Sequence, residues 1–286
     1  MLRNMDNLPA QILVKDGNGN IVARTDFAYD ATDLTSITGV SNHDDTNYGS
    51  GMTTRGNVTS ITRYSNAAAG TGAVTRNFTY DSLGNLLTAQ LDCCNQESVH
   101  YVVGNQYSYP DTVTRGPAGG PQFATSATYN FDYGLVTSST DENSQTTQYQ
   151  YDNMMRLIGT TLPPQNGVAV QLNTVFDDAA QVPTVTNSTA NSGNTGISVA
   201  TLDGLGHVMQ VDNKDGTTLI STVKNVYDQI WRRTQVSNPF TTGNPLYTTF
   251  IYDGLSRIKQ VTPPSAGFTQ YQYSGNSVLV TDPAGK

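Results

Sequence analysis

Charge is scarce in this sequence, and positive charge is the scarcer kind. Only 13% of the 286 residues are charged, and 15 Lys and Arg residues stand against 23 Asp and Glu residues, for a net charge of -8. Proteins that bind nucleic acid need a basic surface to neutralise phosphates, and this chain has no Lys/Arg run that could form one. We therefore expect no nucleic acid partner and no electrostatic attachment to a membrane.

Long apolar runs are missing as well. No stretch approaches the roughly 18 apolar residues of a membrane-spanning helix. Residues 1–14 hold no apolar core long enough for a signal peptide. We expect no membrane span, in a chain that either stays in the cell that makes it or is a piece of a longer protein.

Residues that commonly bind metals are few. The two cysteines, Cys93 and Cys94, are adjacent, and neighbours in sequence rarely form an unstrained disulfide. We expect them to be unpaired thiols in a turn. The histidines His43, His100 and His207 are too few and too scattered for a metal site, so no metal and no cofactor is expected.

Residues that favour strands and turns are abundant instead. The chain contains 26 Gly and 16 Tyr residues, together with many Thr and Asn residues. Thr and Tyr suit the pleated, half-buried surface of a sheet, whereas Gly, Asn and Asp suit turns. This composition predicts an all-β fold.

An aromatic or aliphatic residue followed by Asp recurs through the second half of the chain at spacings of 25, 26, 25 and 25 residues. Looser copies lie upstream at residues 29, 80 and 131, and residues 52–64 keep the second half of a unit without its Tyr-Asp pair. A cluster of Gly, Pro, Asn or Asp follows most of these pairs after about eleven to sixteen residues, as at 187–196. Such clusters reverse strands, so each unit is predicted to be a hairpin of roughly 25 residues.

The predicted hairpins present one aromatic face, because strand residues alternate between the two faces of a sheet. Tyr149 and Tyr151 share a face in TTQYQYD, and Phe250 and Tyr252 share one in TTFIYD, while Thr and Gln lie on the other face. A single hairpin is only marginally stable in water. Each unit must therefore pack its aromatic residues against its neighbours, in one long antiparallel sheet.

The Asp of each pair is predicted to cap the turn that follows it, by accepting backbone N–H bonds. Gly stands three positions after Asp81 and Asp203, where a positive φ costs little. Met155, Ala180, Trp231 and Ser256 hold that position elsewhere. We therefore expect some copies of the turn to be bent differently.

Arginine recurs four positions after the Asp, and we expect these arginines to bond across to neighbouring units. No residue is expected to be catalytic or to bind a metal, and the motif residues are expected to be structural. These structural residues are Tyr29, Asp30, Tyr80, Asp81, Gly84, Tyr151, Asp152, Arg156, Phe176, Asp177, Leu202, Asp203, Gly206, Tyr227, Asp228, Arg232, Tyr252, Asp253 and Arg257.

Several segments resemble the RHS or YD repeats of bacterial polymorphic toxins, toxin-complex cocoon proteins and animal teneurins. They are YDSLGNLL, YDNMMRLIGTT, LDGLGHVMQV, YDGLSRIKQVT, RGNVTSIT and VTDPAGK. The resemblance extends from about Asp16 to Lys286. It draws its strength from the near-constant spacing of the motifs.

This resemblance implies tandem hairpins stacked into one curved or spiralling antiparallel sheet, a segment of a hollow shell. Residues 1–286 would form a single array, irregular in 1–150 and regular in 151–286. The implied partners are the remainder of the shell and an encapsulated C-terminal effector such as a toxin, in a secreted or cell-surface protein. Because TDPAGK reads as the opening of a further repeat, and the family's autoproteolytic end region is not seen, we expect a fragment of a larger shell.

Two other functions stay open. The array could be an adhesion module whose loops 116–121 and 187–196 bind cell-surface glycans or proteins. Trp231 is the candidate partner contact, with packing against an adjacent turn as the simpler interpretation. A glycosidase needs two carboxylates roughly 5 to 10 Å apart, but the Asp residues recur with the repeat and are explained by turns. We expect no enzymatic activity.

Overall fold

The computed structural model of the chain describes residues 7–91, 95–117, 119–191, 193–265 and 267–286. Cys93 and Cys94 lie outside these residues, as do one residue of loop 116–121 and one of loop 187–196. The fold is all-β, as the composition predicts. Its described helices are one turn of α-helix at Asp45–Tyr48 and a 3₁₀ turn at Val103–Asn105. No described helix could cross a membrane.

The chain divides into two units, Met1–Thr147 and Gln148–Lys286. In the first unit every strand pairs antiparallel with the strand that follows it in sequence. Its strands are β1 (Gln11–Lys15), β2 (Ile21–Tyr29), β3 (Val58–Asn66), β4 (Thr71–Tyr80), β5 (Leu86–Leu91), β6 (Gln96–Tyr101), β7 (Pro110–Gly116), β8 (Phe123–Asn130) and β9 (Leu135–Thr140).

The second unit follows the same rule of sequential antiparallel pairing, which confirms the predicted hairpin array. Its strands are β10 (Thr146–Tyr151, which starts just before the unit boundary), β11 (Leu157–Thr161), β12 (Gln171–Asp177), β13 (Thr184–Asn191), β14 (Asn194–Leu202), β15 (Val208–Asp215), β16 (Thr218–Tyr227), β17 (Arg233–Ser237), β18 (Tyr247–Tyr252), β19 (Ile258–Thr262), β20 (Thr269–Ser274) and β21 (Ser277–Thr281).

The segment 187–196, expected to be a loop, is mostly strand. β13 runs to Asn191 and β14 begins at Asn194, and these two residues are register partners. Polar residues at 187–191 extend the ladder because their neighbours on β14 supply backbone partners. A long binding loop is therefore absent from this stretch.

The two faces of the sheet differ as predicted. On β10 the residues Thr147, Tyr149 and Tyr151 are half-buried while their neighbours are exposed. Cross-strand hydroxyl pairs such as Thr62–Thr75, at 2.9 Å, line the opposite face.

Very little apolar surface is fully buried. Among the described residues Ala67 and Ala89 are the buried hydrophobic ones, whereas residues such as Phe123 and Val175 remain largely exposed. Side chains of one sheet layer cover each other only in part, because a sheet face needs a second layer to become a core. Within the described chain, this sheet has no such second layer over most of its length.

Candidate functional site

The turn at Asp253 defines the structural unit of the repeat. Asp253 N–H donates to the carbonyl of Arg257 at 2.9 Å, and Ser256 N–H donates to the carbonyl of Asp253 at 3.0 Å. The Asp253 Oδ1 atom accepts from the N–H groups of Leu255 and Arg257, both at 2.9 Å. One carboxylate oxygen thus accepts from two N–H groups of the turn.

The same five-residue turn recurs along the described chain. A capping Asp makes the same bonds to its second and fourth following residues in each copy. The contiguous copies begin at Asp16, Asp81, Asp141, Asp152, Asp203, Asp228, Asp253 and Asp282.

The third residue after the capping Asp always has a positive φ. It is Gly in copies such as Gly84 and Gly206, with φ of 92° and 88°. Met155, Trp231 and Ser256 adopt φ of 63°, 66° and 62° at the same position. These three copies thus bend as the glycine copies do, contrary to the expectation, whereas the copy with Ala180 follows Asp177, which stays in strand β12 and does differ. The side-chain and backbone bonds of the Asp hold a non-glycine residue in the left-handed region despite its steric cost.

An arginine at the fourth position after the Asp connects its turn to the next repeat. Arg156 Nε donates to Asp152 Oδ2 at 2.7 Å, its other end meets Asp178 at 2.8 Å, and its guanidinium carbon lies 4.0 Å from the centre of the Phe176 ring. Phe176 and Asp178 belong to the following repeat. The arginine therefore holds its own cap and stacks on its neighbour's aromatic residue.

Other copies repeat this arrangement, as the sequence predicts for the arginines. Arg232 lies over Tyr252 at 4.8 Å and Arg257 over Tyr273 at 4.1 Å, and both bond their own Asp. In the Asp203 copy, where histidine replaces arginine, His207 bonds Asp203 at 2.9 Å and packs against Tyr227.

The tyrosine hydroxyls bond back to the preceding turn. Tyr252 donates to the carbonyl of Arg233 at 2.8 Å, which is the residue directly after that turn. The equivalent pairs are Tyr80 with Val58, Tyr227 with Val208, and Tyr273 with Ile258. Tyr227, Tyr252 and Tyr273 thus each hold their repeat to the preceding one by both the ring and the hydroxyl.

The turn geometry sets the ionisation of the caps. Backbone N–H groups of the fifth turn residue are the main reason why the pKa values of Asp152 and Asp253 lie below the ordinary value. For Asp203 and Asp228 burial raises the pKa, but hydrogen bonds from His207 and Arg232 lower it by more in sum. The charged form of each of these caps is therefore the form the fold prefers.

Asp30 caps a turn that is completed by residues 55–57, which lie 25 to 27 positions later in the sequence. Its Oδ2 accepts from the N–H groups of Arg55 and Gly56 at 2.9 and 2.8 Å, and its Oδ1 accepts from Asn57 at 3.0 Å. Asp30 N–H also donates to the carbonyl of Asn57, as in a contiguous turn. Tyr29-Asp30 and the segment that begins at Arg55 are therefore two parts of one repeat, separated by residues 31–54.

Two aromatic-Asp pairs differ from the rest. Asp177 is the last residue of β12, paired with Thr184, and no side-chain bond holds it in a cap among the described residues. Near Phe131-Asp132, Asn130 takes the capping role, since its side chain accepts from Tyr133 N–H at 3.2 Å. Sequence reasoning also missed the Asp141 turn, because the residue before it, Thr140, is neither aromatic nor aliphatic.

Trp231 is both packed and exposed. Its ring stacks on His207 of the preceding turn, with centroids 5.1 Å apart and 9° between the planes. About half of its surface, 51%, remains open to solvent. Packing and partner contact are thus compatible at this residue.

Residues 129–163, which include β9, β10 and the Asp152 turn, match the family model RHS Repeat. This segment of the chain is therefore similar to an RHS repeat. The Asp152 turn within it is one copy of the capped turn described above.

Two solved structures match most of this chain at low identity. A structure of the Photorhabdus luminescens Tc holotoxin pore, with a mutated TccC3, matches with 16% identity and a TM-score of 0.49 over 93% of this chain and 16% of that one. A crystal structure of TcdB2-TccC3-Cdc42 matches with 13% identity and a TM-score of 0.38, over 95% of this chain and 18% of that one. The chain thus spans less than a fifth of the length of these proteins. No curated protein matches it.

Two of the grooves on the first unit contain carboxylates among their described lining residues. The larger, of about 510 Å³, has Glu97 as the carboxylate among its described lining residues, paired with Arg115 at 2.8 Å. The smaller, of about 360 Å³, contains Asp141, which caps a turn, and Asp111, which contacts His100 at 2.8 Å. Neither groove combines two uncommitted carboxylates, and no described cluster of three or more His, Cys, Asp or Glu residues could hold a metal.

Proposed function

We propose that the chain is a structural segment of an RHS-type β-shell that encloses or displays a toxin or another effector polypeptide. Its partners would be the remainder of the shell and the effector, in a protein that is secreted or carried to the cell surface. Residues 1–286 would act as one repeat array within that larger shell.

The observation that carries this proposal is the near absence of a core. Ala67 and Ala89 are the buried hydrophobic residues among the described ones, while the large side chains of Phe123, Val175 and Leu279 are 59–60% exposed. Exposed apolar surface on this scale marks a surface that meets another macromolecule. A single sheet layer acting as the wall of a container would meet its contents on one side.

The coupling between repeats supports the same function. The turns at Asp152, Asp203, Asp228 and Asp253 each hold the aromatic residue of the next repeat, so stability there depends on nearest neighbours, as in other repeat proteins. Such an array can be extended by adding units, which suits a wall whose length must match its contents.

Limited proteolysis tests the proposal. The longest polypeptide that contains these residues is expressed, and the digestion rate of the segment that follows them is compared with that of the same segment expressed alone. Protection that is lost when the sheet is unfolded supports enclosure. Digestion at the rate of the isolated segment would contradict it.

A further inference from the structure

The second unit exposes a row of apolar side chains along the edge formed by its Asp turns. Leu205, Ile230 and Leu255 each stand two residues after a capping Asp and are 63%, 61% and 75% exposed. Trp231 lies beside Ile230 and is 51% exposed. We refer to these four residues as the apolar turn row.

The turn itself does not need an apolar residue at this position. Identical turns at Asp16, Asp141 and Asp282 have Asn18, Asn143 and Ala284 there. Those turns follow odd-numbered strands, whereas the turns of the row follow even-numbered strands. Since neighbouring strands are antiparallel, the two sets of turns lie at opposite ends of the strands. Apolar residues at the second position are thus a property of one edge, which indicates a role for that edge beyond turn formation.

In the first unit, the equivalent edge is covered. At the Asp81 turn, Thr35 N–H donates to the carbonyl of Tyr80 at 3.0 Å and the Thr35 carbonyl accepts from Ser82 N–H at 2.8 Å. Asp81 and Ser82 are 1% and 0% exposed as a result. The covering residues belong to the segment 31–54 that interrupts the Asp30 turn.

This covering segment runs along the edge, from one turn to the next. Ile37 N–H donates to Ser82 Oγ at 2.9 Å, and Ser41 N–H donates to Gln106 Oε1, in the following connection, at 2.7 Å. Alternate turns of a sheet lie about 10 Å apart, the distance that roughly three extended residues span. Residues 31–41 therefore have ample length to pass over two neighbouring turns, with Leu34 and Ile37 half-buried against them.

In the second unit, the backbone N–H group equivalent to that of Ser82 is not covered by another segment. Gly204, Gln229 and Gly254 occupy the position of Ser82, directly after the capping Asp. In the part of the chain that the structure describes, their N–H groups have no hydrogen-bond acceptor. Each turn of the row thus presents an unpaired N–H beside an exposed apolar side chain.

We propose that the apolar turn row binds an extended segment of another polypeptide, with aliphatic residues spaced as in Leu34-Thr35-Ser36-Ile37, in the manner in which residues 31–41 cover the first unit. The backbone of that segment accepts from the N–H groups at 204, 229 and 254, and its aliphatic side chains lie on the row. This binding does not depend on whether the chain encloses an effector.

The test uses Trp231, the single tryptophan of the chain, as the reporter. A synthetic peptide with the sequence of residues 31–41, ATDLTSITGVS, is titrated into the full chain while the tryptophan emission is recorded. Binding over the row removes the indole from water, so a saturable shift to shorter wavelength is expected. A peptide of the same composition in scrambled order should give no saturable shift.

Variants at position 254 locate the binding. Gly254→Pro removes the N–H, and Pro283 at the same position of the Asp282 turn shows that this turn accepts proline. Gly254→Ala keeps the N–H, and no atom lies within 4 Å of its added Cβ. The proline variant should bind the peptide about fivefold more weakly, as expected for one lost hydrogen bond, and the alanine variant should match the parent. Parental emission of both free variants verifies that they are folded.

Three results would overturn the proposal. They are the absence of a saturable shift in the parent chain, an equal shift with the scrambled peptide, and equal affinity of the two position-254 variants. A wavelength shift that grows with protein concentration without peptide, together with dimers in sedimentation, would assign the row to a second copy instead.

Discussion

Arg257 and Tyr273 belong to neighbouring repeats, and the guanidinium carbon of Arg257 lies 4.1 Å from the centre of the Tyr273 ring. The same guanidinium bonds Asp253 in its own turn. One side chain thus joins the cap of one repeat to the aromatic residue of the next. Because equivalent contacts recur at Arg156 and Arg232, they stabilise the sheet where full burial cannot.

The two glycines of the Asp203 turn should respond oppositely to alanine. An added Cβ meets no atom within 4 Å at either position, but Gly206 has a φ of 88° and Gly204 has no positive φ. Gly206→Ala should lower the free energy of unfolding by about 1 kcal/mol. Gly204→Ala should leave it unchanged or raise it by up to about 1 kcal/mol. Urea denaturation measures both, and equal effects would contradict the assigned turn geometry.

Stability should fall in acid because of the capping carboxylates. Hydrogen bonds lower the pKa values of Asp152 and Asp253 in the folded chain, so their contribution is complete above the unfolded value of about 4 and is lost as the pH falls through the lower folded value. The urea midpoint should therefore decrease as the pH falls below about 4. Asp253→Asn should make this decrease less steep. An unchanged slope in that variant would show that the cap does not contribute to it.

Removal of the covering segment should leave its repeat intact. If residues 31–54 are replaced by one asparagine, Asp30 is followed directly by a contiguous turn ending in Asn57, with Gly56 in the positive-φ position. Hydrogen exchange should show β2 and β3 as protected as before. The Ser82 N–H, which loses its acceptor Thr35, should exchange much faster. Loss of protection throughout β3 would contradict the view that 31–54 is an insertion.

The repeat was readable from the sequence because its chemistry is local. Asp, a positive-φ position and a side chain that reaches back to the Asp all lie within five residues, so the spacing of Asp152, Asp228 and Asp253 already predicts hairpins. The stacking partner one repeat away follows from the same spacing. Both are consequences of a sheet whose strands pair in sequence order.

The features that could not be predicted from the sequence depend on contacts between residues outside the local motif. The Asp30 turn closes with Arg55 and Gly56. The outgoing strand of this repeat contains VTSIT at 58–62, but the similar sequence DLTSIT, which follows Asp30 closely, looks like that strand. Backbone propensity disfavours a left-handed conformation for Trp231, so the sequence does not predict it. The hydrogen bonds around Asp228 outweigh that preference. The coverage of Ser82 by Thr35 has no signal in the motif at all.

A double-mutant cycle on Arg232 and Tyr252 tests the coupling of repeats most directly. Arg232→Gln, Tyr252→Leu and the double variant are compared with the parent in urea denaturation. The contact at 4.8 Å predicts that the two single effects exceed the double effect by about 0.5–1 kcal/mol, as for an exposed cation–π pair. Additive effects would contradict the account, because the turn of one repeat would then contribute nothing to holding the next.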